Sequence, residues 1–130
     1  MADHSIEFKS LRSFIGAKNY RLSREFYLNL GFEETIIDPK MSLFKVNGTL
    51  SFYLQDYYAK DWINNLMLFL EVSDAAQYET QLKSKDLDQK YEGVRFTEMK
   101  YYDWGREFFM HDPSGVLWHF GEFNEHPPYS

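Results

Sequence analysis

The chain has 130 residues, no cysteine and a formal net charge of −6. The lack of cysteine excludes disulfides, thiolate metal sites and cysteine nucleophiles, and the length fits a single domain over 1–130. An acidic chain without a basic cluster is not expected to bind nucleic acid. No apolar run approaches the roughly 20 residues of a membrane span, and the first residues lack a signal-peptide core. We therefore expect a cytoplasmic protein that makes no membrane contact.

The first half of the chain reads as a strand, a helix and three further strands. An apolar strand over 13–17 precedes a helix that Asn19 caps and Gly31 ends. Strand-like segments follow at 32–37, 42–46 and 49–55. Asn47 and Gly48 are predicted to form the hairpin turn between the last two strands, because both residues tolerate positive φ.

The second half repeats this order. A buried strand is predicted over 66–72, and Asp74 with Gln77 begins a helix. Strands are predicted over 94–100, 108–111 and 116–122, with a turn at 112–115 between the last two. Aligning Gly48 with Gly115 sets Phe52 opposite His119. The pattern predicts an α+β fold built from two βαβββ modules, over 9–57 and 64–124.

Three segments of the chain carry a family resemblance. They are FYLNLGF (Phe26–Phe32), the pair Trp104-Gly105, and DPSGVLWHF (Asp112–Phe120). The sequence resembles the vicinal oxygen chelate superfamily, which includes glyoxalase I, extradiol dioxygenases, and fosfomycin- and bleomycin-resistance proteins. This resemblance implies an open, curved mixed sheet that encloses a cleft.

Enzymes of that superfamily hold a divalent metal with residues of the first and fourth strands of each module. Counting along the chain, these positions fall on Arg12, Phe52, Met67 and His119. Arginine has no lone pair to offer, and methionine is a soft ligand unsuited to an oxygen-rich site. A shift by one residue does not supply the missing ligands. We therefore predict that the cleft binds neither a metal nor another cofactor.

Strand alternation predicts which side chains line the cleft. Together with the aromatic loop before Gly105, the predicted ligand-binding residues are Arg12, Phe14, Phe52, Met67, Phe69, Glu71, Tyr102, Trp104 and His119. An apolar and aromatic lining with a few polar groups suits a small organic ligand that is cationic or aromatic. The alternative is that a partner subunit covers this face. Phe52→Asp or Phe69→Asp is expected to abolish binding and to leave the fold intact.

Metal-free members of the superfamily include the bleomycin-resistance proteins, which sequester a cationic drug in grooves of a homodimer. The chain is similar to them in length, acidity, the Trp104-Gly105 pair and its lack of metal ligands. The resemblance implies a homodimer that sequesters a drug or metabolite, with a role in antibiotic resistance. A metal-dependent lyase or dioxygenase of the same fold is the first alternative. Others are a metal-free enzyme using Glu71 and His119 as a base and acid, and a structural or regulatory dimer.

Overall fold

The computed structural model describes residues 5–124. The first half contains one helix and four strands, which are β1 (Phe14–Gly16), α1 (Tyr20–Leu30), β2 (Glu33–Asp38), β3 (Met41–Lys45) and β4 (Ser51–Gln55). The strands form a sheet in the order β1-β4-β3-β2, in which β1 and β4 run parallel. The expected order of strand, helix and three strands is present.

Up to residue 124, the second half contains three helices and five strands. A short helix comes first, and the elements are α2 (Lys60–Asn65), β5 (Met67–Glu71), α3 (Ala75–Lys83), α4 (Leu87–Lys90), β6 (Arg95–Phe96), β7 (Lys100–Tyr102), β8 (Gly105–His111) and β9 (Leu117–Phe123). The sheet order is β5-β9-β8-β6, with β7 also paired to β8 and β5 parallel to β9. The α+β class agrees with the sequence prediction, and each module forms a mixed sheet of its own where one curved sheet was expected.

Local sequence signals set the ends of both long helices. The Asn19 side chain accepts a hydrogen bond from the Leu22 amide, and Asp74 accepts one from Gln77 at the start of α3. Gly31 ends α1 at a φ of 113°, a left-handed conformation that glycine adopts without steric cost. The predicted cap residues and the predicted C-terminal glycine therefore have the expected roles.

One hydrophobic core joins the two halves of the chain. The buried Tyr27 ring of α1 contacts Phe52 of β4 and Trp118 of β9. The Tyr27 hydroxyl donates to Oδ2 of the buried Asp112 at 2.6 Å and accepts from the Trp118 indole at 2.9 Å. This network fixes the 112–115 turn against α1, so that the packing of each module depends on the other.

The predicted alignment of the two modules is wrong by one residue. Phe14 of β1 lies beside Tyr53, whereas Phe69, the corresponding residue of β5, lies beside His119. Tyr53, not Phe52, is therefore the equivalent of His119, and Phe52 is 2% exposed, within the core. The expectation that Phe52 shares a face with Arg12 is incorrect.

The error comes from aligning the two turn glycines. The turns have equal length, since Val46 donates to the Leu50 carbonyl just as Asp112 donates to that of Val116. Gly115 has a φ of 102°, but neither Asn47 nor Gly48 has a positive φ. The Asn47 side chain instead holds its turn by accepting from the Thr49 and Leu50 amides.

Two other segments differ from the prediction. The continuous strand expected over 94–100 is two short strands, β6 and β7, which pair with different parts of β8. The short helices α2 and α4 were not predicted, since six and four residues are too few for a clear helical period. In the described part of the chain, every helix is too short or too polar to cross a bilayer.

Candidate functional site

The second sheet presents an aromatic face on the side away from the core. Alternation along β5 turns Met67 and Phe69 outward, with 63% and 47% of their surface exposed. Gly121 of β9 leaves room for the Phe69 ring, because a Cβ atom at this glycine would lie 2.2 Å from that ring. The absence of a side chain at Gly121 is therefore what lets the ring lie across β9.

His119 is held in place on this face by a carboxylate. Its Nδ1 lies 2.7 Å from Oε1 of Glu107, whose side chain is almost fully buried on β8. The imidazole also lies parallel to the Phe69 ring and edge-on to Phe109. The carboxylate favours a proton on Nδ1 of the imidazole. Nε2 faces Met67, whose sulfur is 3.3 Å away. The Nε2 end of the imidazole therefore lies beside the exposed Met67, at the surface of the sheet.

Aromatic side chains continue the face beyond Phe69. Tyr102 and Trp104 stack with ring centroids 5.2 Å apart, and Trp104 also contacts Phe69 and Phe123. Gly105 permits the turn into β8, where its amide pairs closely with β9 and a Cβ atom would meet the Glu122 carbonyl at 2.0 Å. The predicted Tyr102, Trp104, Phe69 and His119 thus lie in one surface, which we call the aromatic face together with Phe123.

The first sheet carries a smaller and more polar face. Phe14 stacks on Tyr53 at 5.0 Å, and the Arg12 guanidinium lies over the same tyrosine ring. Arg12 donates to the Ser51 hydroxyl at 2.7 Å and to the Tyr53 hydroxyl at 3.1 Å. These bonds hold the guanidinium flat against the sheet and leave part of its donor set available to a ligand.

Two cavities share Phe69 in their linings. One, of about 180 Å³, is lined by Arg12, Ser51, Phe52 and Phe69, with Trp118 at its base. The other, of about 230 Å³, is formed by Met67, Leu68, Phe69 and His119. Phe52 therefore contributes only a core surface below the first cavity.

Glu71 lies on the outward side of β5 with Met67 and Phe69, beside Gly121, but its carboxylate does not contact His119. It lines a different cavity, near the start of α3, and the carboxylate that pairs with His119 is Glu107. The expected acid and base pair of Glu71 and His119 is not formed.

The superfamily's metal site is not matched by the residues at its four positions. With the corrected alignment these residues are Arg12, Tyr53, Met67 and His119. Arg12 is a cation, and Nδ1 of His119 is already engaged by Glu107. Within residues 5–124, no three His, Asp or Glu side chains group together as metal ligands. The donors at these four positions do not fit a hard divalent ion.

Sequence reasoning missed several residues of these faces, namely Ser51, Tyr53, Glu107, Phe109 and Phe123. Tyr53 and Ser51 were missed through the alignment error. Glu107 and Phe109 alternate along β8 with the buried Phe108 and Met110, so a period of two could have identified them. The diagonal contact of Glu107 with His119 depends on strand register, which the sequence does not show.

Comparison with known proteins gives matches among solved structures alone, because no protein-family model and no curated protein matches the sequence. A bleomycin-binding protein from Streptomyces verticillus, solved with copper(II)-bleomycin, has a TM-score of 0.74 and 21% identity, covering 92% of this chain and 99% of its own. An antibiotic-binding protein from Streptomyces sp. CB03234 has a TM-score of 0.68 and 18% identity, covering 94% and 100%.

Enzymes of the same architecture match as well. A lactoylglutathione lyase from Agrobacterium tumefaciens has a TM-score of 0.67 and 15% identity, covering 87% of this chain and 92% of its own. At these identities the likeness establishes the architecture alone. The chain has the glyoxalase/bleomycin-resistance fold that the sequence resemblance implied.

Proposed function

We propose that this protein binds a small organic molecule on the aromatic face, without a metal, and acts by sequestering it. The observation that carries the proposal is the exposed cluster of Phe69, Tyr102 and Trp104 beside the His119–Glu107 pair. Exposed aromatic rings that contact one another on a sheet face offer a planar surface for stacking. The similarity to a bleomycin-binding protein and an antibiotic-binding protein of this architecture also supports a binding role.

The polar groups restrict the chemistry of the ligand. The Glu107 carboxylate behind His119 favours a cation at this end of the aromatic face. The rings of Phe69 and Trp104 are also suited to contact a cation or a planar group. Arg12, across the smaller cavity, favours a carbonyl or carboxylate at the other end. We therefore expect a ligand with an aromatic or cationic body and a separate acceptor group.

We also propose that the protein forms a homodimer in which a second copy covers part of these faces. Leu11 is fully exposed, and Phe14, Met67 and Phe69 are each more than two-fifths exposed. Apolar side chains grouped on one surface of a small protein mark an interaction site. A partner that packs on the Phe14 side would deepen the shallow cavities into a groove, with the aromatic face as one wall.

Binding can be tested by titrating the metal-free protein with bleomycin and following tryptophan fluorescence and thermal stability. A ligand at 100 times its dissociation constant stabilises a protein by about 2.7 kcal/mol, which raises Tm by several degrees. We expect Trp104→Ala to weaken binding at least tenfold. Trp62→Phe, a change on α2 away from the aromatic face, is the matched control and should leave the affinity unchanged.

The outcome separates sequestration from the alternatives. Recovery of bleomycin unchanged from the complex supports sequestration, whereas its conversion to a product indicates an enzyme. A stoichiometric divalent ion in the purified protein, needed for that conversion, would support the lyase or dioxygenase alternative. If neither bleomycin nor any aromatic cation shifts Tm, the face serves only as a protein interface.

A further inference from the structure

A cluster of hydrogen-bond donors lies on the first sheet, at the cavity that Arg12 and Phe69 line. The Arg12 guanidinium donates through Nε to the Ser51 hydroxyl at 2.7 Å and through Nη1 to the Tyr53 hydroxyl at 3.1 Å. The guanidinium also lies over the Tyr53 ring, which stacks on Phe14. These contacts fix the position of the three polar side chains Arg12, Ser51 and Tyr53, which we call the donor cluster.

The direction of the two hydrogen bonds determines which polar groups of the cluster remain free. A guanidinium carries only donors, so each hydroxyl must be the acceptor in its bond with Arg12. The hydroxyl protons of Ser51 and Tyr53 are therefore left over, and neither hydroxyl has another hydrogen-bond partner within residues 5–124. Further N–H groups of Arg12 likewise have no acceptor there. Three side chains thus present unused donors at one place.

The positive charge of Arg12 has no carboxylate partner in the described part of the chain, where the ion pairs involve other residues. The strand register adds a second cation, because Lys45 is paired with Ser51 and is exposed on the same face of the sheet. The acid in this row of the sheet is Glu33, which lies one strand further, opposite Lys45. The donor cluster therefore lies in a locally positive part of an acidic protein.

The cavity beside the donor cluster is apolar apart from a few polar groups. Arg12 is the one charged residue among those that line it, whereas Leu50, Leu68 and Phe69 supply apolar surface and Trp118 forms the base. Its volume of about 180 Å³ is below the roughly 300–1,000 Å³ of sites for drug-sized molecules. A single ring with a short polar group therefore suits this cavity.

A carboxylate satisfies the donor cluster better than a neutral carbonyl does. Its two oxygens match the parallel N–H groups of a guanidinium and retain lone pairs for both hydroxyls, whereas a carbonyl offers one oxygen and no charge. The guanidinium of Arg12 is also half-buried, so water screens its attraction to an anion less than at an open surface. The cluster therefore favours a carboxylate over an amide or a ketone.

We propose that the ligand of this protein is an aromatic carboxylic acid, whose carboxylate binds the donor cluster and whose ring packs on Phe69. The inference rests on the proposed function, because it specifies the acceptor group of the same ligand. Arg12 binds the carboxylate, and the hydroxyls of Ser51 and Tyr53 donate to it. Phe69 belongs both to this cavity and to the aromatic face, so the remainder of a larger ligand continues from Phe69 onto Trp104.

Phenylacetate is a suitable probe because it joins a carboxylate to one ring, and phenylacetamide is its neutral counterpart of the same shape. In NMR titrations of the full chain, phenylacetate should cause saturable shifts in the amide signals of Ser51 and Phe69. Phenylacetamide should bind at least fivefold more weakly, and so should inorganic phosphate, an anion without a ring. Absence of saturable shifts at millimolar phenylacetate, or equal binding of either other probe, would overturn the proposal.

Variants identify the groups that bind the carboxylate. Arg12→Gln should weaken phenylacetate binding at least tenfold, whereas Arg21→Gln, which removes the same charge from an exposed position on α1, should not change it. Arg12→Lys keeps the charge but loses the planar fork, so it should still bind at least threefold more weakly than the wild type. Tyr53→Phe keeps the ring that Phe14 stacks on and should weaken binding about threefold. Equal binding by the wild type and Arg12→Gln would refute the carboxylate site.

The result at the donor cluster can be separated from the result at the aromatic face. Trp104 does not line the cavity, so Trp104→Ala should change phenylacetate binding less than twofold. If phenylacetate binds through Arg12 and bleomycin does not bind, the carboxylate site is supported although the test of the aromatic face fails. If bleomycin binds equally to the wild type and Arg12→Gln, and phenylacetate causes no shifts, the carboxylate site is refuted and sequestration is not.

Discussion

At the residue scale, Phe52 and Phe69 show how one step of register separates a core residue from a surface residue. Phe52 packs against Tyr27, Phe44 and Trp118, so Phe52→Asp buries a charge and should cost more than about 4 kcal/mol of unfolding free energy. Phe69→Asp should cost less than about 1 kcal/mol, because its ring is about half exposed. Urea denaturation measures both. A folded Phe52→Asp protein of wild-type stability would contradict this placement.

Asp112 makes stability depend on pH in an unusual direction for a carboxylate. Burial raises the pKa of Asp112 to about 6. Hydrogen bonds from Tyr27 and from backbone amides lower this pKa, but their effect is smaller than that of burial. A raised folded-state pKa means that the protonated form is favoured by folding, so its stabilisation is complete below about pH 4 and is lost as pH rises through 6. The unfolding free energy should fall by about 3 kcal/mol across that window.

Asp112→Asn cannot titrate, so its Tm should lack the decrease between pH 4 and pH 6 that we expect in the wild type. Glu34 acts in the opposite sense, since its bond from Arg24 lowers its pKa and its stabilisation is lost only at more acidic pH. The comparison is therefore made above pH 4.5, the ordinary pKa of a glutamate, by calorimetry in matched buffers. If Asp112→Asn shows the same decrease in Tm as the wild type, the decrease comes from the titration of another group.

At the element scale, the sequence predicts best where the signal is local. Asn19, Gly31 and Asp74 could be identified because a cap depends on one side chain or one φ angle. The outward-facing residues of β4 could not be identified from the sequence, because the two hairpin turns have equal length but carry their glycines at different positions. The outward residues of β5 were located correctly since Leu68 and Leu70 alternate with them. The partner of His119 required knowledge of which strands are neighbours.

The cap of α1 can be tested at the same scale. Asn19→Ala removes the acceptor of the Leu22 amide and should lower the unfolding free energy by about 1 kcal/mol. Asn19→Ser keeps a capping oxygen and should lose less than half as much. Chemical denaturation of the three proteins at one pH makes the comparison. Equal stability of the wild type and Asn19→Ala would mean that solvent satisfies this helix end.

At the scale of the whole molecule, the shared core predicts a single unfolding transition. Phe32 and Tyr27 of the first module pack on Trp118 of the second. Asp112 of the second module also accepts a hydrogen bond from the Tyr27 hydroxyl of α1. Neither module keeps a complete core without the other, so tryptophan fluorescence and far-ultraviolet circular dichroism should give coincident denaturation curves. Hydrogen exchange should show equal protection in β4 and β9. Two separated transitions would indicate that the modules fold independently.

The proposed dimer follows from where the molecule exposes its apolar surface. Phe14 and Ile36 are both about half exposed or more, but Phe14 lies on the face with Arg12 and Tyr53, while Ile36 pairs with Ser42 and lies on the opposite side of the sheet. A charge at Phe14 should therefore disrupt the dimer, because an unpaired charge in an apolar interface is costly. Sedimentation of Phe14→Glu should show monomer where the wild type shows dimer, and Ile36→Glu should behave as wild type. A wild type that stays monomeric at all concentrations would leave the aromatic face open, and binding would then depend on one chain alone.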